Sequence, residues 1–231
     1  MSFRRICLVL LLFSVTAFTS AKFKLKVESG VSMPWNGSLE MGGSESTELL
    51  ERNSFRAYFV PTVGYEFSQE HLMEFSLSHF TVNSSFEATG TETPFQYESA
   101  FRQDSISLTY RYILPDLDRF SLQLGVQGRL SFKRITLSGS REYDHKLTDF
   151  SFGPAADIRL KMNDRVFVGL EIYTGLGRGN GFVDVFAGLH FAGPFYYIRV
   201  GSRYWSVTNS FDQNRLSLSF INFGAQFSSS F

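Results

Sequence analysis

The chain has 231 residues, with 22 basic and 22 acidic side chains, a formal net charge of zero and one cysteine. Balanced charge without a polybasic run excludes an electrostatic nucleic-acid binder, and a lone cysteine excludes an internal disulfide framework. Aromatic residues make up 16% of the chain, yet the mean hydropathy of −0.06 leaves no surplus of apolar residues to match.

Residues 1–21 have the order of an export signal: Arg4 and Arg5, an apolar core over 6–13, then the small residues Thr19, Ser20 and Ala21. The core is shorter than the ~20 residues that span a bilayer, so cleavage is expected rather than anchoring. Cleavage would remove Cys7 and two arginines, leaving 20 basic against 22 acidic residues and a formal charge near −2. No later apolar run reaches the ~18 residues of a membrane helix.

From residue 22 onward the hydrophobic period is two, which predicts strands, and the length fits one domain, 22–231. Ten strands are predicted. The first, 22–33, sets Phe23, Leu25, Val27 and Val31 against Lys24, Lys26 and Glu28. The second, 54–67, sets Phe55, Phe59, Val63 and Phe67 against Arg56, Tyr58 and Glu66, with Pro61 forecasting a bulge or a weak ladder. The third, 72–82, opposes Met73, Phe75 and Leu77 to Glu74, Ser76 and Ser78; the fourth, 105–114, opposes Ile106, Leu108 and Tyr110 to Ser107, Thr109 and Arg111. The fifth, from Phe120, sets Leu122, Leu124 and Phe132 against Gln123, Gln127, Arg129 and Lys133. The sixth, 147–162, sets Phe150, Phe152 and Ile158 against Asp149, Asp157, Arg159 and Lys161.

The seventh, 166–177, and eighth, 182–191, place Glu171, Asp184 and His190 opposite Val168, Leu170, Val185 and Leu189. The ninth, 195–207, places Arg199 and Arg203 opposite Ile198, Val200 and Tyr204. In the tenth, 216–231, Leu216, Leu218 and Phe220 fall out of phase with the end, which a bulge near Phe220 would repair. Short turns at 68–71, 115–119, 163–165 and 192–194 alternate with longer or more polar connections at 34–53, 83–98, 138–146, 178–181 and 208–215. The glycines at 175, 177, 179 and 181 lack the Lys and the helix of a phosphate-binding loop and predict a tight hairpin.

The end of the chain carries the resemblance. Ile221, Phe223, Ala225, Phe227, Ser229 and Phe231 share one side of a strand against Asn222, Gln226 and Ser230, and Phe231 is the last residue. With the export signal and the alternation, this resembles the small bacterial outer-membrane β-barrel proteins. The resemblance implies an all-β, antiparallel, up-and-down transmembrane β-barrel in the outer membrane, with short periplasmic turns, long outer loops and no plug domain. Ten strands are expected, or eight if the seventh and eighth with their glycine-rich join are misread. It further implies that Phe223, Phe227 and Phe231 form an insertion signal for the barrel-insertion machinery, with periplasmic chaperones, outer-membrane lipids and lipopolysaccharide as partners. A soluble lipocalin-like or sandwich fold would also alternate, but it would take the apolar side as its core, and the opposite side is too charged for a water-facing surface and too poor in aromatics for a lipid-facing one.

On that geometry the polar side faces the lumen, and a ten-strand barrel is little wider than the eight-strand kind that side chains fill. A charge network is therefore predicted from Arg56, Glu66, Glu74, Arg111, Arg129, Lys133, Asp149, Asp157, Arg159, Lys161, Glu171, Asp184, His190, Arg199 and Arg203. Buried charges must be paired, so the network predicts a filled lumen rather than a pore. Arg102, Asp104 and Arg134 fall on the lipid side near the outer ends of their strands, where the arginines could meet lipopolysaccharide phosphates.

The family as a group shares no activity, and fold alone does not give one. The expected function is a non-enzymatic outer-membrane barrel whose acidic outer loops, with Glu40, Glu45, Glu48, Glu51, Glu87 and Glu92, meet the surroundings. The alternatives are a narrow porin-like channel or an outer-membrane enzyme. Omptin-like proteases use acids and a His-Asp pair at the outer rim, for which Asp144-His145 with Asp104, Asp149 and Asp212 is the nearest material. Lipid A deacylase-like barrels use a lipid-facing His and Ser two residues apart with an acid; here His79 and Thr81 have the spacing, Thr replaces Ser, and no acid is assigned. No catalytic, cofactor or metal residues are assigned from the sequence.

Overall fold

The structure, a computed structural model, describes residues 22–40, 47–48, 56–88, 95–115, 118–138, 143–193, 196–211 and 214–230. The expected export signal, Phe231, Asp212 and the loop residues Glu45, Glu51 and Glu92 lie outside them. The strands are β1 (Lys22–Glu40), β2 (Thr47–Glu48), β3 (Arg56–Ser68), β4 (His71–Ala88), β5 (Phe95–Ile113), β6 (Phe120–Ser138), β7 (Tyr143–Lys161), β8 (Val166–Gly177), β9 (Asn180–Ala192), β10 (Tyr196–Phe211) and β11 (Asn214–Ser230). Every neighbouring pair is antiparallel, and a ladder from Lys24↔Ser230 to Glu40↔Arg215 joins β1 to β11. The result is a closed ten-strand, up-and-down barrel, with the two-residue β2 a side branch on β1.

Alternation does what the sequence pattern requires. Phe59, Phe132, Phe150, Phe152, Phe223 and Phe227 stand exposed on the outer wall, while Glu74, Arg111, Asp157, Glu171 and Arg199 are buried inside. Such a wall belongs in hydrocarbon, where closure is the only way for strands to satisfy their backbone groups.

The strands run further than the hydrophobic signal. The polar 83–98 connection is largely ladder, with Ser84↔Ser99 and Glu87↔Gln96 in register. Hydrogen-bonded pairing can continue above the lipid, where side chains no longer need to be apolar on one side. The tight hairpin expected from the glycine run forms, although the sequence groups its connection with the longer or more polar ones: Gly177↔Asn180 closes β8–β9 around Arg178 and Gly179, and Gly179 has φ +73, a left-handed conformation that favours glycine.

The expected bulge lies elsewhere. Strand β11 keeps its phase, and Leu216, Leu218, Phe220, Asn222, Gln226 and Ser228 are all buried. The irregularity is on β1, between Pro34↔Phe220 and Asn36↔Ser219, and turns Trp35 outward, where it is 56% exposed. Proline has no N–H for a ladder, so the extra residue sits beside it. Leu216, Leu218 and Phe220 point into the barrel, where they pack with Val82, Phe101, Ile135, Phe182 and Val207. Phe80 and Trp205 flank this cluster, with ring centroids 4.5 and 5.2 Å from Phe220. The expectation at Pro61 holds: the β3–β4 ladder pairs Phe59 with His79 and Thr62 with Ser76, and lapses across Val60 and Pro61.

Since Phe220 is fully buried in this inner cluster, Phe220→Ala is expected to destabilise the barrel by about 3–5 kcal/mol. Urea unfolding in lipid vesicles measures it; a lipid-facing Phe220 would give a much smaller change.

Candidate functional site

The lumen is built by inward positions of nearly every strand. Arg111 on β5 is 1% exposed, with Nη1 at 3.1 Å from Glu74 Oε2 on β4 and 3.8 Å from Asp157 Oδ2 on β7. Lys26 from β1 pairs with the same Glu74, and Arg111 also meets the Tyr173 hydroxyl. Asp157 is gripped by Arg159 through Nε at 3.0 Å and Nη2 at 2.5 Å.

A second run of charges crosses the barrel. Arg199 on β10 reaches Glu28 on β1 at 2.6 Å and pairs with Glu171 on β8. Glu28 also takes Arg203 at 2.7 Å and a hydrogen bond from the Tyr58 hydroxyl at 3.1 Å. Arg203 continues to Asp184 at 3.2 Å, and Asp184 to Arg129 at 3.3 Å. The guanidinium faces rest on rings: Arg199 lies 4.0 Å from the Phe186 centroid and Arg129 4.1 Å from that of Phe182. Each arginine thus offers its edge to carboxylates and its face to an aromatic, which a lysine cannot do.

Lys133 forms a smaller group higher up, with Asp149 at 2.6 Å and Asn209 at 2.5 Å. His190, fully buried, places Nδ1 against the Tyr197 hydroxyl. Cavities of about 130 and 220 Å³ remain, the first inside the charge web beside Glu28, Arg129 and Arg199, the second near the periplasmic end beside Lys24, Arg159 and Tyr196.

Two of the residues predicted for the network sit at the rims. Arg56 is exposed and donates to the Asn83 carbonyl at 3.2 Å, because β3 rises there past its ladder with β4. Lys161 ends β7 and donates to Asp164 in the adjoining turn at 2.8 Å, which holds that carboxyl below its ordinary range. Glu66 pairs with Lys24. Lys26, Glu28 and Tyr58 were not included in the predicted network, although all three stand on the polar side of their strands. The two-residue alternation carries the signal that finds them.

On the outer wall, Arg134 binds Asp144 through two hydrogen bonds of 2.9 and 2.7 Å. Asp144 and His145 are consecutive in β7, opposite Thr136 and Ile135, so their side chains leave on opposite faces and do not act together. The other outer candidate comes together. His79 Nδ1 is 2.5 Å from Asp104 Oδ1, and Thr81 Oγ1 is 3.2 Å from His79 Nε2. Arg102 holds the second Asp104 oxygen, Nη2 at 3.0 Å and Nε at 3.2 Å. Asp104 was out of reach for sequence reading because β5 contributes it: His79↔Asp104 and Thr81↔Arg102 are direct cross-strand partners. Among the described residues no group of three metal-ligating side chains occurs.

This fold, with an apolar wall around a polar interior, defines an outer-membrane β-barrel protein, and the outer membrane is its place. One solved structure agrees on the fold. The outer membrane protease OmpT from Escherichia coli superposes with a TM-score of 0.57 at 9% identity, over 94% of this chain and 99% of that one. Neisserial surface protein A gives 0.40 at 12% identity, over 90% and 97%, and Ail of Yersinia pestis 0.37 at 12%, over 88% and 97%. No family model matches the chain, and no curated protein matches it.

Removing one member of the web leaves its partners charged and buried. Arg111→Met, which takes one of two cations from Glu74 and one of two from Asp157, is expected to cost about 3 kcal/mol, the low end for breaking a buried pair, measured as a lower urea midpoint; the rim variant Arg56→Met is expected to leave it nearly unchanged.

Proposed function

We propose that this protein is a sealed outer-membrane barrel whose lumen carries no solute, and whose contacts with its surroundings are made by its outer wall and outer hairpins. The observation that carries the reading is the web running from Lys26 through Glu74, Arg111 and Asp157 to Arg159, and from Glu171 through Arg199, Glu28, Arg203 and Asp184 to Arg129. Its charges are committed to one another, which supports an interior that is neither a pore nor a catalytic chamber. Above it the apolar cluster around Phe220 adds a layer that hydrated ions enter only at the cost of their water.

Several partners follow from this reading. Phe223 and Phe227 face outward at the closing seam, which supports a role, with Phe231, in recognition by the barrel-insertion machinery after delivery by periplasmic chaperones. The half-exposure of Arg102 and Arg134 on the outer wall supports contact with lipopolysaccharide phosphates.

The test is planar-bilayer conductance of the purified protein. The expected result is no steady opening above background, whereas the triple variant Trp205→Ala/Phe220→Ala/Arg199→Ala should admit brief ones. Steady openings of the unmodified protein would overturn the sealed reading.

A further inference from the structure

A lipid-facing wall is an unfavourable place for polar side chains, since an Arg near the bilayer midplane costs ~2–4 kcal/mol. Yet β4 and β5 present Thr81, His79, Asp104 and Arg102 together on that wall. Counted from the short turn before His71, they lie near the end of the ~10 residues with which a tilted strand crosses the membrane. The group therefore sits at the outer-leaflet interface, with Phe59 and Phe132 beside it as cross-strand partners of His79 and Asp104. Water, head groups and the first ester linkages of lipids meet at that level.

The order of the contacts is directional. A carboxylate only accepts, so with Asp104 ionised the His79 proton lies on Nδ1; in the neutral imidazole Nε2 is then the acceptor for the Thr81 hydroxyl beside it. A hydroxyl, an imidazole bonded to it, and a carboxylate orienting the imidazole from behind are the parts of an acyl-transfer site. Arg102 fixes the carboxylate from its other oxygen. The His79 side chain is 60% exposed, so the site opens to the lipid. The seam at this point is also the loose one: the β3–β4 ladder lapses just below Phe59↔His79, and the inner cavity is lined there by Val60, Thr62, Ser76, Ser78 and His79.

We propose that Thr81, His79 and Asp104 form an acyl-ester hydrolase site acting on outer-membrane lipids from within the membrane plane. Thr81 is the nucleophile, His79 the base and acid, and Asp104 and Arg102 are positioning residues. The substrate class is an O-acyl ester next to a phosphate-bearing head group, the phosphate falling at the level of Arg102 and Arg134. Thr81 Oγ1 adds to the ester carbonyl carbon and its proton passes to His79 Nε2. The acyl carbon–alkoxy oxygen bond then breaks, and His79 returns the proton to the departing alcohol. Water adds to the Thr81 acyl ester, giving a proton to His79; the fatty acid leaves and the proton restores the Thr81 hydroxyl. One ester and one water become one alcohol and one acid.

The proposal departs from the expectation of a non-enzymatic barrel. It needs the outer wall to face lipid and is independent of whether the lumen conducts, so conductance cannot decide it.

The test uses the protein purified from outer membranes in detergent, mixed separately with lipopolysaccharide and with phosphatidylethanolamine vesicles, and reads free fatty acid by mass spectrometry. Acid released from either lipid is expected, and the arm that releases it identifies the source. His79→Ala and Thr81→Ala should lose 10²-fold or more, Thr81→Ser should retain activity, and Asp104→Asn should lower kcat with KM unchanged. An acyl adduct on Thr81 at short times would support the covalent route. Equal release by the unmodified protein and His79→Ala, or none from either lipid, would overturn the proposal, provided that the variants keep the heat-shifted gel mobility of a folded barrel. Full activity in Thr81→Ala would overturn the role of Thr81.

Discussion

Hydrocarbon offers no partner for a backbone N–H or C=O, and this single constraint governs the molecule. It is met by the ladder between β1 and β11, which leaves the sheet without an edge. At the seam Gly30 pairs with Gly224, and Tyr58 lies across both so closely that a Cβ on either glycine would collide with it. From there the Tyr58 hydroxyl reaches Glu28. The seam that closes the wall is thereby tied to the charges inside it.

Closure with ten strands makes the interior too narrow for each inward charge to keep its own water, so the charges must satisfy one another. The arrangement is layered. Near the periplasmic half, arginines alternate with carboxylates; toward the outside, Phe80, Phe101, Trp205, Leu216, Leu218 and Phe220 pack together beside the smaller Lys133–Asp149–Asn209 group. Phe182 belongs to the apolar cluster and supports the Arg129 guanidinium, while Phe186 supports Arg199. The layers share side chains, so a change in one is felt in the other.

Much of this was legible because a two-residue period assigns each side chain to a face without reference to its partners. The strand order, the inward arginines and the lipid-facing phenylalanines follow from it. What it could not carry was a face that changes chemistry along its length. Leu216, Leu218 and Phe220 break the pattern only if the inward side is polar along its whole length, and only then does β11 need a bulge near Phe220. The interior instead carries an apolar sector near the outer end, and the irregularity is at Pro34 on the partner strand. Likewise, hydrophobicity stopped marking strands at 83–98 because the lipid stops there, while the backbone ladder does not.

Pair identity is harder still, since register between strands is a tertiary fact. His79 and Thr81 are two apart and visibly share a face; Asp104, 25 residues on, joins them only because the β4–β5 hairpin sets it opposite His79. Pairing alone explains Arg102 with Asp104, as it explains Arg134 with Asp144, for each puts opposite charges together on a wall that tolerates neither singly. It does not explain the histidine. A salt bridge needs no imidazole between its carboxylate and a threonine hydroxyl, and His79 uses both ring nitrogens to join them. Where the interior spends each charge on another charge, this part of the outer wall sets a hydroxyl, a proton acceptor and a carboxylate in sequence, facing the lipid.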